Sequence, residues 1–493
     1  MTSYRESPSH ISFTAPEFHR DGRFRPARYE YHGSASRGWR IVRDGRPCLQ
    51  LGPGFAPLQT RCCGICATDM ARAALPFPLP QVTGHEVLCR RDGQTLAVDI
   101  NASHRTRDCR AAACPWCSAG LETHCPQRLT LGIDRLPGGF APWILAPVAA
   151  LHPLPASLPL DAALFAEPFA AALRAVAITP PRPGDRVAVL GPRRLGLLVL
   201  AALASHRRRH DLDFTITALH RHHWLTEYCR LMGADASIHV EEAPIKAQEG
   251  VYDIVFDTTG NPAGLQLALR LARRTVHLKS THGREAGGMA RLTEMVIDEI
   301  SLHPFSLAAR PPSPLPDSMV DHCHVYVSPT VPEALQRRLR DQLPRCRTYR
   351  MDRSDALSFI ARHHGAGKLP LPGFDMALVG SLAEADRVIR PRADASCSLL
   401  HARGALLVAN GAAAGDGALA QAMGRGIEIQ TSRCGRIPLA LDTLATQPAL
   451  AGAMAERLVT HRFPVRKLAQ AFAAAGRGER AVKVVVDTWE DTA

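Results

Sequence analysis

The sequence predicts an α/β protein with a β-rich N-terminal domain, a parallel-sheet domain carrying an α/β insertion, and a tail that returns to the first domain. Three observations lead there. Up to about Pro159 the chain reads as short strands broken by Gly and Pro, as in Gly38–Arg43 and Gln94–Asp99. From Asp161 a helix-length apolar stretch runs to Val176, after which strand and helix periods alternate. Around residues 303–424 that alternation starts again. The expected divisions are 1–172, 173–432 with the insertion at 303–424, and 433–493.

In the second domain a buried strand, Arg186–Leu190, leads into the apolar helix Leu195–Ser205. A strand at Phe214–Leu219, a helix at His223–Met232 closed by Gly233, and strands at Tyr252–Asp257 and Thr275–Lys279 follow. Such an order implies a parallel sheet with right-handed crossovers. Pro311–Pro316 reads as an exposed linker into the insertion, which continues with strands at His324–Val327 and Phe374–Val379. Arg403–Asn410 then resembles Arg274–Ser280. The order strand–helix–strand, Phe-Asp strand, Arg strand thus occurs twice. Partial duplication and chance likeness both fit.

Composition sets outer limits. At 493 residues the chain is too long for one core, and 46% apolar with 21% charged residues is globular material. Met1–Tyr31 has no apolar signal-peptide core, and the apolar stretch near Leu195–Ala204 is far shorter than the roughly 20 residues of a membrane span. Fourteen cysteines, several spaced as metal ligands and none obviously paired, point to a reducing cytoplasm. The net charge of +13 comes from scattered Arg, with one basic run, His206–His210, where a helix should end and a loop begin. Aromatic residues for base stacking make up only 5% of the chain, so nucleic-acid binding is not expected.

Two cysteine-bearing stretches carry the chemistry. The first is Cys62-Cys63-Gly64-Ile65-Cys66-Ala67-Thr68-Asp69, followed by Gly84-His85-Glu86. A Cys and a neutral His from separate loops are good Zn²⁺ ligands, and a carboxylate can complete the set while leaving a position open. The second is Cys109, Cys114, Cys117 and Cys125, four thiols that would fill a tetrahedral ion and leave nothing for chemistry.

These residues, with Pro137-Gly-Gly-Phe-Ala141, Glu167-Pro168, Asp257-Thr-Thr-Gly260, Phe463-Pro464 and the closing strand Val482–Val486, resemble the zinc-containing medium-chain dehydrogenase/reductase family. Within it they look most like the threonine, sorbitol and glucose dehydrogenase branch, over about residues 45–300 and 425–493. The resemblance implies a GroES-like catalytic domain, a Rossmann dinucleotide-binding domain, and hydride transfer between an alcohol and NAD or NADP. It implies Cys66, His85 and Glu167 as catalytic-zinc ligands, with Glu86 either a ligand or a group behind the ligands. It also implies a structural zinc on the four-cysteine lobe, although the first gap there is two residues longer than usual. Thr68 would pass the proton, and Asp69 would orient the site. The family's relay His is replaced by Ala71, which leaves the outer end of the relay open.

The cofactor loop Gly191-Pro-Arg-Arg-Leu-Gly196 keeps the first and last glycines of G-x-G-x-x-G, but the middle one is Arg193. That loop (Gly191, Arg193, Arg194, Leu195, Gly196) and Thr258 are the expected cofactor contacts. Arg193 either helps bind phosphate or obstructs it. Where an acid would bond the ribose of NAD stands His220, followed by Arg221-His222-His223. Arg and a protonated His can bind a 2′-phosphate, which favours NADP.

Small-molecule alcohols or carbonyls, no nucleic acid, no membrane, and a homo-oligomer (dimer or tetramer) complete the expected partners. The insertion is expected to extend or cap the sheet and to alter the subunit contact, the alternative being a surface appendage. A second functional reading is a catalytically silent binding or regulatory protein, motivated by Arg193, Ala71, Cys89 and the insertion itself.

Overall fold

The computed structural model describes residues 9–75, 77–107, 114–242, 245–279, 284–305, 323–389, 398–409, 417–476 and 480–488. The chain divides into two compact units, Met1–Ala170 with Cys434–Ala493, and Ala171–Arg433.

In the first unit, strands His10–Phe18, Phe24–Ser34, Gly38–Arg43 and Arg46–Leu51 form an antiparallel sheet in sequence order. A second sheet has seven strands, six of them in the order Leu151–Pro153, Gln94–Val98, Glu86–Arg91, Phe55–Gly64, Lys483–Asp487, Val459–Pro464. Trp143–Pro147 adds to its Phe55–Gly64 strand. Alternation of apolar and polar residues buries Tyr29, Tyr31, Trp39, Ile41, Phe55, Leu58 and Phe140 in one core. The tail returns as the sequence implies: Val485 pairs with Gly64, which in turn pairs with Glu86.

The stretch Asp161–Val176 is two helices, Leu160–Ala163 and Ala166–Ile178, instead of one. Pro168 explains the break. Its ring is tolerated in a first turn, where no N–H partner is needed, but not inside a continuous helix.

The second unit holds one sheet of eleven strands. Along it stand Ala236–His239, Thr215–His220, Arg186–Leu190, Tyr252–Asp257, Ala272–Leu278, Glu428–Thr431, Ser301–Phe305, Leu400–Ala409, Phe374–Val379, His324–Val327 and Arg347–Arg350. All neighbours are parallel except the central pair, where Leu302 faces Ile429 antiparallel. The basic run lies where a helix end is expected, as the last turn of helix Arg194–His210, which Asp211, in the left-handed region, ends. Cations there face the unsatisfied carbonyls of the helix end, a favourable position. Arg207 also holds Asp235 by hydrogen bonds of 2.7 and 3.0 Å.

The residues from 301 to 431 extend this sheet and repeat its plan. Strands 186–190, 215–220, 252–257 and 272–278 have the same relative order as 324–327, 347–350, 374–379 and 400–409. Backbone details recur as well. Asp253 accepts the N–H of Arg186 at 2.9 Å, and Asp375 accepts the N–H of His324 at 2.7 Å. The strand pairing shifts register at the matching place in each half, by one residue between Tyr252 and Ile254 and by three between Phe374 and Met376. The two central strands are exchanged: Ser301–Phe305 pairs with Leu400–Ala409, and Glu428–Thr431 returns to Ala272–Leu278. Strand Ala236–His239 has no counterpart among the described residues, and the linker Pro311–Pro316 lies outside them.

One cysteine expectation is corrected. Cys323 and Cys346 form a disulfide across neighbouring strands of the second half, a pairing uncommon in a reducing compartment. Among the described residues, no helix is long and apolar enough to cross a membrane.

Candidate active site

Four glycines and one carboxylate build the corner that presents Cys66 and His85. Gly84 sits at φ +95°, where a Cβ would lie 2.9 Å from Cys63 Sγ, and a Cβ on Gly132 would lie 2.2 Å from the Gly84 carbonyl oxygen. This close backbone packing lets the Pro137-Gly-Gly-Phe-Ala141 motif run alongside. Gly138 donates to Val82, Gly139 to Gly84 and Phe140 to Thr83, at 2.9, 2.8 and 3.1 Å. The three bonds clamp the segment that carries His85.

Asp69, fully buried, ties the two ligand loops together. Its carboxylate accepts the N–H of Cys66 at 2.9 Å and the N–H of Gly84 at 3.1 Å, and lies 3.5 Å from His85 Nδ1. Cys66 caps the short helix Ala67–Met70 on which Asp69 sits, so the contact returns within one turn. Burial disfavours a charged His85, but Asp69 and the Cys66 sulfur beside it outweigh that and hold the imidazole well above its ordinary value. His85 Nδ1 is buried with no hydrogen bond of its own. An imidazole in so negative a pocket is the setting a cation needs, so the donor set fits a metal.

Glu86 points elsewhere. Its carboxylate is buried against Lys483 Nζ at 2.5 Å, and the ammonium also lies over the Phe165 ring. Glu167 opens helix Ala166–Ile178; burial pushes its carboxyl up to about 7, with His85 and Lys483 opposing the shift and Glu86 adding to it. No described residue engages the hydroxyl of Thr68, a part-buried residue. Lys483 is the neighbour of the candidate site that the motifs did not single out. Its signal was a lone ammonium within Val482–Val486, a strand otherwise apolar.

In the cysteine lobe, the sulfurs of Cys114, Cys117 and Cys125 all lie within 4.8 Å of one another, a tighter grouping than that around Cys66. Cys109 lies outside the described residues. Burial pushes the Cys117 thiol up to about 11. At Cys114 burial acts the same way, but hydrogen bonds from the Cys117 backbone and from Cys125 bring the net shift below the ordinary value. Three converging thiols are three of the four donors of a closed zinc site.

The expected cofactor contacts fall in the second unit. A Cβ on Gly191 would lie 2.8 Å from Thr259, and one on Gly196 would lie 2.5 Å from Thr258 Oγ1, so both glycines are sterically required. Thr258 Oγ1 fixes the turn through the Leu190 and Gly191 carbonyls, each at 2.9 Å. Arg193 precedes helix Arg194–His210, whose first residues are Arg194, Leu195 and Gly196. Its Nε and Nη2 are buried without partners, and burial lowers its pKa. A part-buried guanidinium with two idle donors at a helix N-terminus suits an anion.

His220 requires a correction. It turns inward, with Nε2 2.7 Å from Ser237 Oγ, and burial together with the imidazoles of His239, His223 and His222 lowers its pKa to about 4. It is neutral near pH 7 and cannot serve as the cation for a 2′-phosphate. Arg221 is exposed and faces Glu241 at 3.7 Å.

Residues 52–156 match the alcohol dehydrogenase GroES-like domain. The chain is 29% identical over 190 residues to a sorbitol dehydrogenase of Halalkalibacterium halodurans, covering 37% of this chain and 54% of that protein. It is 28% identical over 235 residues to an L-galactonate-5-dehydrogenase of Escherichia coli, covering 45% and 67% respectively. The first match thus spans about half of that relative. The solved L-idonate 5-dehydrogenase of Escherichia coli shares the fold, with TM-score 0.53 at 14% identity over 97% of this chain and 100% of that one. Through these matches the chain is similar to members of the zinc-containing medium-chain dehydrogenase/reductase family, most directly over its GroES-like domain. Its fold is that family's GroES-like domain joined to a Rossmann-type sheet, here nearly doubled in width.

The Glu86–Lys483 pair generates a prediction. Lys483→Ala strands a buried carboxylate and should lower unfolding free energy by about 3–5 kcal/mol in urea titrations. Glu86→Gln combined with Lys483→Met should recover most of that loss. A double variant no more stable than Lys483→Ala would show that the pair is not what the position requires.

Proposed function

We propose that the protein is a zinc-dependent oxidoreductase that transfers a hydride between an alcohol, polyol- or amino-alcohol-like, and NADP or NAD, or runs the reverse carbonyl reduction. The observation that carries it is the Asp69-held pair Cys66 and His85 in a pocket that attracts a cation. Cys66, His85 and Glu167 would hold the catalytic ion, and Glu86, neutralised by Lys483, would shape the field behind it. Bound Zn²⁺ supplies Lewis-acid stabilisation of a substrate oxygen. Thr68, one residue from Asp69 and not otherwise engaged, would pass the substrate proton on, its hydroxyl oxygen accepting that proton as its own O–H proton leaves toward solvent. Cys109, Cys114, Cys117 and Cys125 would hold a structural zinc.

For the cofactor, Gly191, Gly196 and Thr258 would shape the turn, and Arg193 would meet the pyrophosphate. Arg221 is the exposed cation available to a 2′-phosphate, since His220 is neutral. The silent alternative gains nothing from the relatives matched, which are named as dehydrogenases. A cytoplasmic location belongs to the same reading.

Metal analysis of purified protein should give two zincs per chain, and a nicotinamide absorbance screen across alcohols and sugars should find NADP-linked turnover. Arg193→Ala should weaken NADPH at least tenfold in calorimetry. Metal-free protein, or NADPH affinity unchanged by that substitution, would remove the mechanism or the phosphate role respectively.

We further infer that the second half of the sheet is a partial duplication of the first and that it occupies the sheet edge otherwise open to another subunit. Assembly as a dimer or tetramer would then use other surfaces. Light scattering of the full chain should give a multiple of 53.5 kDa. Deleting residues 305–422 should change that multiple; the same oligomer after deletion would contradict the capping role.

A further inference from the structure

The loops that follow the second and third strands of the Rossmann-type sheet bring together three donors, of which only His223 has a reading from the sequence, as part of the basic run offered to a 2′-phosphate. His223 lies in the turn after Thr215–His220, His239 ends strand Ala236–His239, and Glu242 lies three residues beyond it. His223 Nε2 is 2.7 Å and His239 Nδ1 3.7 Å from the same oxygen of Glu242, and all three donor atoms lie within 4.8 Å of one another. We propose that His223, His239 and Glu242 form a binding site for a borderline divalent transition ion such as Zn²⁺ or Ni²⁺, separate from both cysteine-containing sites.

The tautomer of His239 carries the argument. Its Nε2 lies 2.7 Å from the Arg221 carbonyl oxygen, which can only accept, so Nε2 bears the proton. Nδ1 therefore turns a lone pair toward the Glu242 carboxylate, and Nδ1 is buried with no hydrogen bond. Two electron-rich groups face each other, and among the described residues only the exposed His223 imidazole lies close enough to offset them. A backbone carbonyl holding the far nitrogen of a ligating imidazole is also the usual support of a metal-binding His.

The spacing fits an ion. With metal–nitrogen and metal–oxygen distances of about 2.0–2.2 Å, tetrahedral ligand atoms stand roughly 3.4 Å apart, between the two separations seen here. His223 and His239 stack at 4.3 Å with their planes 10° apart, so the exposed His223 ring has to turn out of the stack to aim its nitrogen at the point that His239 and Glu242 face. Three protein ligands leave a fourth position to water. Imidazole and carboxylate together select Zn²⁺, Ni²⁺ or Cu²⁺ over Mg²⁺ or Ca²⁺.

A similar triad in the first unit shows what is missing elsewhere. His10 and His32 approach Glu30 at 3.6 and 3.3 Å, but Arg28 already pairs with Glu30 at 3.2 Å. The charge there is met, and no contact to a carbonyl fixes either tautomer.

The test is calorimetric titration of Ni²⁺ into full-length protein as purified, with its cysteine sites undisturbed. One equivalent should bind to the unaltered chain and to Glu30→Gln, and that equivalent should vanish in His223→Ala. His223 is exposed, so its removal leaves the fold in place; a circular dichroism spectrum confirms this. His239→Ala should act alike. Absence of Ni²⁺ binding, or the same equivalent retained in His223→Ala, overturns the proposal and leaves a histidine–glutamate ion pair.

Discussion

The carboxylate of Asp69 is the constraint on which the candidate site depends. Two loops far apart in sequence, one at Cys66 and one at Gly84–His85, donate their backbone N–H groups to its two oxygens. The flanking strands bring the loops near one another by pairing Gly64 with Glu86, but neither loop has regular structure beyond a single turn, and Asp69 is what joins Cys66 to Gly84 directly. Burial makes the contact consequential. In water each bond would exchange for one to solvent, whereas inside the unit an unmet N–H costs about 1–3 kcal/mol. The same carboxylate sets the charge felt by His85. Position and electrostatics of the site thus come from one side chain.

Around that centre the chain closes from its far end. Strand Lys483–Asp487 enters the sheet beside Phe55–Gly64 and delivers Lys483 to Glu86 across 397 residues of sequence. A buried ion pair of this kind adds little net stability by itself, but loss of either member leaves a bare charge. Completion of the site and docking of the tail are therefore one event. In the second unit the exchange of Ser301–Phe305 and Glu428–Thr431 does something comparable, because each half of the wide sheet lacks a strand until the other half supplies it.

Much of this was legible in the sequence. The strand–helix alternation, the two cysteine stretches and the glycines of the cofactor turn follow from periodicity and spacing. Pro137-Gly-Gly-Phe-Ala141 was readable as a marker, but its reason, backbone running against Gly84, needs three dimensions. The echo between Arg274–Ser280 and Arg403–Asn410 was visible, whereas the strand exchange was not, since both central strands look alike locally. The charge of His220 was misjudged because it depends on burial and on three imidazoles that other loops bring near. Lys483 could have been found, as an ammonium in a valine-rich strand must have a partner.

The most direct measurement is the zinc content of an Asp69→Asn variant. Asparagine keeps one acceptor oxygen but turns an NH₂ toward the second N–H and removes the negative charge beside His85. The account predicts one zinc per chain instead of two, held by the cysteine lobe, with an unchanged circular dichroism spectrum and no turnover. Two zincs per chain with turnover intact would show that Asp69 does not hold the site together.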